Sequence, residues 1–460
     1  MSNKTFSTTN PATGEVLEEF PFVEDPDIEA ALTAAEQAFR EWSARPVSER
    51  AAIVQRAAEL FAEKTEELAA VATREMGKPI GEMREEVEFS GEIFSYFATE
   101  GPGQLEDKVL SEDEDAISVL QRRPVGPLLG IMPWNYPYYQ VARFVAPNLV
   151  AGNTILLKHA EICPGSALAI QSLLDEAGVP VGVYQNLFAT YDQVSTIIAS
   201  LTIQGVSLTG SERAGSVIAE QAGRHLKKAV LELGGSDPYV VLSTNDVASQ
   251  ARDAVEIRME NTGQACNSNK RLIVADDVYD EFVGHLVSAV EDLSPADPAE
   301  DKGGTYGPLS SASAADAIVG QIEDAVAAGA TLHTGGQRLQ RPGNYVSPAV
   351  ITGVPPQARA YREELFGPAV VVYRVSSDEE ALELANDTVY GLGASVYAVE
   401  PGRAERFAEK LQAGMVGANA QAPETADMPF GGVKRSGYGR ELGPVGIDEF
   451  VNKRLMHHAK

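Results

Sequence analysis

Leu128-Leu-Gly-Ile-Met132 is a short apolar run that leads straight into Pro133-Trp-Asn-Tyr-Pro137. Similar runs recur as Thr154-Ile-Leu-Leu157, Tyr184-Gln-Asn-Leu-Phe188 and Gly205-Val-Ser-Leu208, with helix-length segments between them. Short apolar strands separated by helices are the pattern of βαβ units, in which a parallel sheet is covered on both faces. A second series begins near Ser236 with Tyr239-Val-Val-Leu242 and a helix to about 261. It continues through Arg271-Leu-Ile-Val-Ala275 and a helix near 277–291. The chain therefore reads as α/β and doubly wound, with ligands expected at the carboxyl ends of the strands.

Upstream of 125 the pattern is helical. Asp25-Pro26 supplies an N-cap and a first-turn proline, after which Ile28, Ala31, Leu32, Ala35, Phe39 and Trp42 recur at helical spacing. Further helices are expected near 48–63, 65–76 and 80–98, with Gly77 and Pro79 as a stop. Glu112-Asp-Glu-Asp115 reads as a solvated hairpin tip.

At 460 residues the chain calls for two or three cores, and 44% hydrophobic with 22% charged residues argues against disorder. The first residues have no apolar core, and no run of about 18 apolar residues exists, so neither a leader nor a membrane span is expected. Two cysteines make no disulfide framework, which suits a cytoplasmic protein. A net charge of −29, with 13 Lys against 24 Arg, disfavours nucleic acid and anionic membrane as partners. Acidic residues spread along the whole chain suggest a surface adapted to high salt.

One of the two cysteines, Cys266, lies in Glu260-Asn-Thr-Gly-Gln-Ala-Cys-Asn-Ser-Asn-Lys-Arg271, between a helix and a strand. A loop there can present a nucleophilic sulfur, whereas a structural cysteine belongs in an apolar run. Glu232 ends an apolar strand in Leu231-Glu-Leu-Gly-Gly-Ser236, where desolvation raises a carboxyl towards general-base use. Asn135 offers a rigidly held neutral donor for an oxyanion. The usual GxGxxG fingerprint is absent; Gly391-Leu-Gly393 matches only its first half and reads as strand. Ser207-Leu-Thr-Gly210-Ser211 runs from strand into helix and could hold a phosphate. At another strand end, Lys158 and Glu161 can both reach a ribose, and a carboxylate there would repel a 2′-phosphate.

Together these segments resemble the aldehyde dehydrogenase superfamily over essentially the whole chain. The resemblance rests on Pro133–Pro137, Leu231–Gly235, Gly263-Gln-Ala-Cys266, Glu364-Leu-Phe-Gly-Pro368 and Pro429-Phe-Gly-Gly-Val-Lys-Arg-Ser-Gly437, in the family's order and spacing. It implies that Cys266 is the nucleophile and Glu232 the general base, with Asn135 and the Cys266 amide as the oxyanion hole. It also implies a nicotinamide dinucleotide: Met132, Pro133 and Trp134 bordering it, Lys158 and Glu161 at the adenosine ribose, Gly210 and Ser211 near the pyrophosphate. Glu364 would hold the nicotinamide ribose and Phe366 would flank the ring. Glu161 favours NAD, with NADP possible.

The run Gln121–Gln140 and Ile203–Gly215 are most similar to the succinate-semialdehyde branch, in which Arg143 matches an arginine that grips the substrate carboxylate. Glu260 stands where better-known members of that branch carry a second arginine. Alternatives are another aliphatic or ω-functionalised aldehyde, a cysteine hydrolase, or a catalytically silent relative. His159, where the family usually has proline, reads as a backbone feature, and Cys163 as a residue packed near a helix start. The implied architecture is a cofactor domain (1–106 and 126–234), a catalytic domain (235–443) and an oligomerisation segment (107–125 and 444–460) that builds homo-dimers or homo-tetramers.

Overall fold

The computed structural model describes residues 5–460; the reading of the first residues as leaderless rests partly on residues 1–4, outside that range. The first strand series forms a six-stranded sheet in the order Gly437–Tyr438, Lys228–Glu232, Gly205–Thr209, Pro127–Ile131, Thr154–Lys158, Tyr184–Asn186. All neighbours are parallel except the short Gly437–Tyr438 edge. The chain runs outward from Pro127–Ile131 and then returns to the other side of it. The carboxyl ends of Pro127–Ile131 and Gly205–Thr209 thus flank a switch in strand order, where a crevice opens. Its two lips are Pro133-Trp134 and Gly210-Ser211.

The second series forms a seven-stranded sheet: Thr331–Thr334, Ala349–Thr352, Ala369–Val375, Arg271–Ala275, Pro238–Val241, Gly393–Tyr397, Met415–Ala418. Only Thr331–Thr334 is antiparallel to its neighbour. The inner strands are buried along nearly their whole length, as a sheet covered on both faces requires. Gly391-Leu-Gly393 leads into the Gly393–Tyr397 strand, not a phosphate-binding turn.

Helix Tyr139–Ala151 has all thirteen residues buried and underlies the first sheet. Phe144 packs so tightly on Gly130 that a Cβ there would lie 2.7 Å from its ring. The expected helices are present as Val47–Glu63, Thr65–Met76 and Ile80–Gln104. The first helix departs by one residue from its sequence reading: Glu24, not Asp25, is the N-cap, because Asp27 reaches back 3.0 Å to the Glu24 N–H. Strands Lys108–Glu112, Ala116–Pro124 and Val451–Ala459 form a separate antiparallel sheet that is largely exposed, with its hairpin tip at the acidic turn. No described helix is long and apolar enough to cross a membrane.

Trp42 ties the helical layer to this core. It is 1% exposed, and its indole N–H donates 3.0 Å to the Leu149 carbonyl at the far end of Tyr139–Ala151. Trp42→Ala should cost about 3–5 kcal/mol, read as a lowered denaturant midpoint with an unchanged slope.

Candidate active site

The loops at the crevice converge on a cavity of about 300 Å³ lined by Pro133, Trp134, Asn135, Gln140, Gly210, Ser211, Glu232, Cys266, Glu364 and Phe366, among others. Residues from five distant stretches of sequence are thereby brought together. A second cavity of about 410 Å³ is lined by Ile131, Lys158, Tyr191, Ser211, Arg213 and Gln221. Ser211 lines both, so the two cavities adjoin at its position, and its Oγ caps helix Glu212–Arg224. Three predicted residues line neither cavity. Met132 is buried, its N–H donating 3.0 Å to the Lys158 carbonyl. Glu161 pairs with Lys158 at 3.7 Å. Arg143 lies beneath the site.

Arg143 is fully buried between the rings of Tyr139 and Phe430, 4.6 and 4.2 Å from their centroids. Its Nε lies 2.7 Å from Glu441 Oε2, and its Nη atoms donate to Tyr139 and Gln140. The Nη atoms are thus hydrogen-bonded within the protein, while Nε meets Glu441 as an ion pair without a well-directed hydrogen bond. Burial alone would lower its pKa, but Glu441, with Tyr139, Glu232 and Cys266, holds it above its ordinary value.

The Cys266 loop is strained at its start. Asn261 (φ 48) and Thr262 (φ 56) are both left-handed, an arrangement costing about 1–3 kcal/mol per residue. Partners on several sides hold it. The Asn261 N–H donates 2.6 Å to Glu82, its side chain donates 2.8 Å to the Asn135 carbonyl, and Thr262 exchanges hydrogen bonds with Gly307. Asn135 Nδ2 donates 3.0 Å to the Gln264 carbonyl. Lys270 Nζ donates to the Ala265 and Cys266 carbonyls at 2.8 and 2.7 Å and lies 3.1 Å from Glu364. Glu364 also accepts from the Gly235 N–H at 3.1 Å, and a Cβ on Gly234 would collide with its carboxylate.

The sulfur of Cys266 keeps some open surface towards the cavity, yet the surrounding protein desolvates it and pushes its pKa up to about 12. Arg143 and Lys270 pull the other way; Glu364 and Glu424 add to the rise. Glu232 is likewise held well above the carboxylate range by burial and by Glu441, against Arg143 and Arg440. Neither Glu232 oxygen has a hydrogen-bond partner among the described residues. It packs on Gly431 (φ +144), where a Cβ would come within 2.5 Å of Oε1.

A third cavity, about 330 Å³, is lined by Lys78, Glu82, Tyr136, Tyr139, Glu260 and Glu424. Glu260 accepts from the Tyr136 hydroxyl at 2.6 Å. Burial pushes Glu82 and Glu424 up to about 7, and Glu260 adds to both. His159 is a buried backbone clamp: one ring nitrogen faces the Pro137 carbonyl at 2.9 Å and the other accepts the Ala160 N–H at 2.8 Å. Burial drives its pKa down to about 4, so it is neutral. Cys163 is the buried N-cap of helix Pro164–Glu176.

The reading from sequence missed Arg258, Lys270, Glu441, Arg213 and Gln140. Lys270, four residues after Cys266, was within reach of such a reading. Glu441 carried no signal, because only folding brings it to Arg143.

Thiol, buried carboxyl and amide lining one cavity fit an oxidoreductase or acyl-transfer site of the thiol type. Residues 1–456 match the Aldehyde dehydrogenase family. A succinate-semialdehyde dehydrogenase [NADP(+)] of Deinococcus radiodurans is 53% identical over 98% of this chain and 94% of its own length. The succinate semialdehyde dehydrogenase [NAD(P)+] Sad of Escherichia coli is 41% identical over 96% of each chain. The crystal structure of succinic semialdehyde dehydrogenase from Streptococcus pyogenes in complex with NADP+ is similar at a TM-score of 0.95 and 38% identity, over 99% of this chain and 100% of that one. The chain belongs to the aldehyde dehydrogenase family, whose members are NAD(P)-dependent oxidoreductases.

A desolvated thiol has a checkable consequence. In the cofactor-free protein, alkylation of Cys266 by iodoacetamide should accelerate about tenfold per pH unit from pH 7 to 10, because only the thiolate reacts. A plateau near pH 8 would mean that Arg143 and Lys270 outweigh burial.

Proposed function

We propose that this protein oxidises succinate semialdehyde to succinate with NADP or NAD. The observation that carries the reading is one cavity lined jointly by Cys266, Glu232 and Asn135 and by Glu364 and Phe366. The two adjoining cavities fit a dinucleotide on their own chemistry. Lys158 and Ser211 lie at one end, and a glycine-walled cradle at Gly234 leaves room for Glu364 at the other. The bound dinucleotide supplies the hydride acceptor.

The residues account for the remaining steps. Cys266 gives up its thiol proton to solvent, the thiolate adds to the aldehyde carbon, and the oxygen of the resulting thiohemiacetal takes the charge. Asn135, oriented by its bond to the Gln264 carbonyl, offers its second N–H to that oxygen, together with the Cys266 amide. Collapse with loss of hydride leaves a thioester on Cys266. Glu232 in its ionised form, free of protein partners, accepts a proton from water as it attacks the thioester; the C–S bond breaks, the acid departs and the Cys266 thiolate is restored. A cysteine hydrolase would ordinarily need a histidine beside Cys266, and none lines this cavity.

The substrate reading rests on the names of the relatives and on Arg143. Arg143, buried beneath the Cys266 cavity, favours an anionic tail through its field alone, while Glu260 and Glu424, which line a neighbouring cavity, oppose one. The deciding measurement is kcat/KM for succinate semialdehyde against butanal. A preference of about tenfold or more for the acid, about 1.4 kcal/mol, is expected; equal or better use of butanal would reject the substrate and leave the chemistry. Cys266→Ala should abolish turnover of both.

Glu161 argued for NAD from sequence. Its pairing with Lys158, the presence of Arg213 in the lining of the second cavity, and NADP in the relatives' names support NADP as the better cofactor. Arg213→Ala should then lower kcat/KM for NADP about tenfold while changing that for NAD by no more than about twofold, the scale of a charge-assisted phosphate contact. Equal losses with both cofactors would exclude a 2′-phosphate role.

The same proposal keeps the cofactor domain, the catalytic domain and the exposed three-stranded sheet as a homo-oligomer contact. It also includes a cytoplasmic location and an acidic surface suited to high salt.

A further inference from the structure

We infer that Glu82, outside the cavity that holds Cys266, is a positioning residue for this reaction: it locks the left-handed turn at Asn261–Thr262 and, through the Asn261 side chain, fixes Asn135. The inference rests on the aldehyde-oxidation reading above.

Glu82 lies in the first turn of helix Ile80–Gln104. Its Oε2 accepts the Asn261 N–H at 2.6 Å. The left-handed backbone turns this N–H away from its own loop, so the holding acceptor comes from another element. Asn261 Nδ2 then donates 2.8 Å to the Asn135 carbonyl, Asn135 Nδ2 donates 3.0 Å to the Gln264 carbonyl, and Gln264 Nε2 returns 2.9 Å to the Asn261 carbonyl. The ring closes on itself, and Glu82 is its tie to a rigid helix.

One turn further along that helix, Glu86 holds the other partner. Its Oε1 accepts the Tyr138 and Tyr139 N–H groups at 2.9 and 3.2 Å, and its Oε2 pairs with Lys78 at 2.8 Å, both side chains 1% exposed. Positions i and i+4 face the same way. One helix face therefore grips both the segment that carries Asn135 and the loop that carries Cys266. An oxyanion donor works only when it is held in place before the charge develops, and small misplacements are costly.

The test compares full-length Glu82→Ala, Glu82→Gln, Asn261→Ala and the double variant Glu82→Ala/Asn261→Ala. Glu82→Ala should lower kcat about tenfold or more with KM within about twofold, for succinate semialdehyde and butanal alike. Glu82→Gln keeps an oxygen acceptor and should recover kcat to within about threefold of the parent. The double variant should be no more than about threefold worse than the poorer single, because both act through one chain of bonds. Glu82→Leu, similar in size and lacking an acceptor, carries the expectation of Glu82→Ala should the latter not fold.

Unchanged kcat in Glu82→Ala, a Gln variant as poor as Ala, or multiplicative losses in the double variant would each overturn the inference. So would a fall in KM confined to the anionic aldehyde, which would make Glu82 an entrance charge. A parent protein inactive towards both aldehydes rejects the function itself. The inference is then read from the alkylation rate of Cys266, expected to change about threefold or more in Glu82→Ala; an unchanged rate overturns it.

Discussion

The guanidinium of Arg258 holds the site together. It is fully buried at the end of helix Val247–Met259, and its five N–H groups meet five oxygens: the carbonyls of Gly263, Leu365, Gly367 and Ala369 and the hydroxyl of Ser268. No carboxylate is among them, so burial dominates and lowers its pKa to about 9. Only a planar fork can serve five acceptors; an ammonium has three donors. Gly263 and Ser268 bracket Cys266, while Leu365 and Gly367 bracket Phe366. Arg258 thus makes one body of the loop with Cys266 and the loop with Glu364. The fit is close: a Cβ on Gly263 would collide with the Gly367 carbonyl.

The same economy governs charge. The chain has 37 basic against 66 acidic residues, yet Lys78, Arg143, Lys158, Arg258, Lys270 and Arg271 are all buried. Most charged residues of either sign lie nearer the surface, and these cations share the interior with the buried carboxyls of Glu75, Glu86, Glu232, Asp237 and Glu441. Arg143 and Lys270 reach Cys266 electrostatically without touching substrate space, and each is held by acceptors that the fold supplies. Burial nevertheless outweighs the nearby cations at both Cys266 and Glu232 and raises each above its ordinary value in the cofactor-free protein. This suits a thiol that must not react before substrate arrives.

Much of the site was legible because its residues sit in short motifs where regular structure ends. Cys266, Glu232 and Asn135 each lie in or beside a loop at the edge of a buried strand, and strand ends can be read from apolar runs. Gly391-Leu-Gly393 shows the limit of motif matching: the same letters lead into a strand, since Ala394, Val396 and their neighbours are buried and the strand pairs with Pro238–Val241. Glu161 and Arg143 show another limit. Their residue types suggested substrate and cofactor roles, but their pairings within the protein are tertiary facts that spacing does not give: Glu161 lies beside Lys158, and Arg143 beside Glu441, nearly three hundred residues away in sequence.

By itself the sequence determined the α/β class, the two series of parallel strands and the candidate reactive groups, because burial pattern and local motif are properties of neighbouring residues. The tertiary structure alone decided which groups are paired, which are open and which are desolvated. Those outcomes depend on residues that meet only after folding: Arg258 with the Leu365 and Gly367 carbonyls, Glu82 with Asn261, Arg143 with Glu441. Hydrogen bonds and charges act over a few ångströms, and no spacing along the chain reveals which distant partners will stand within that range.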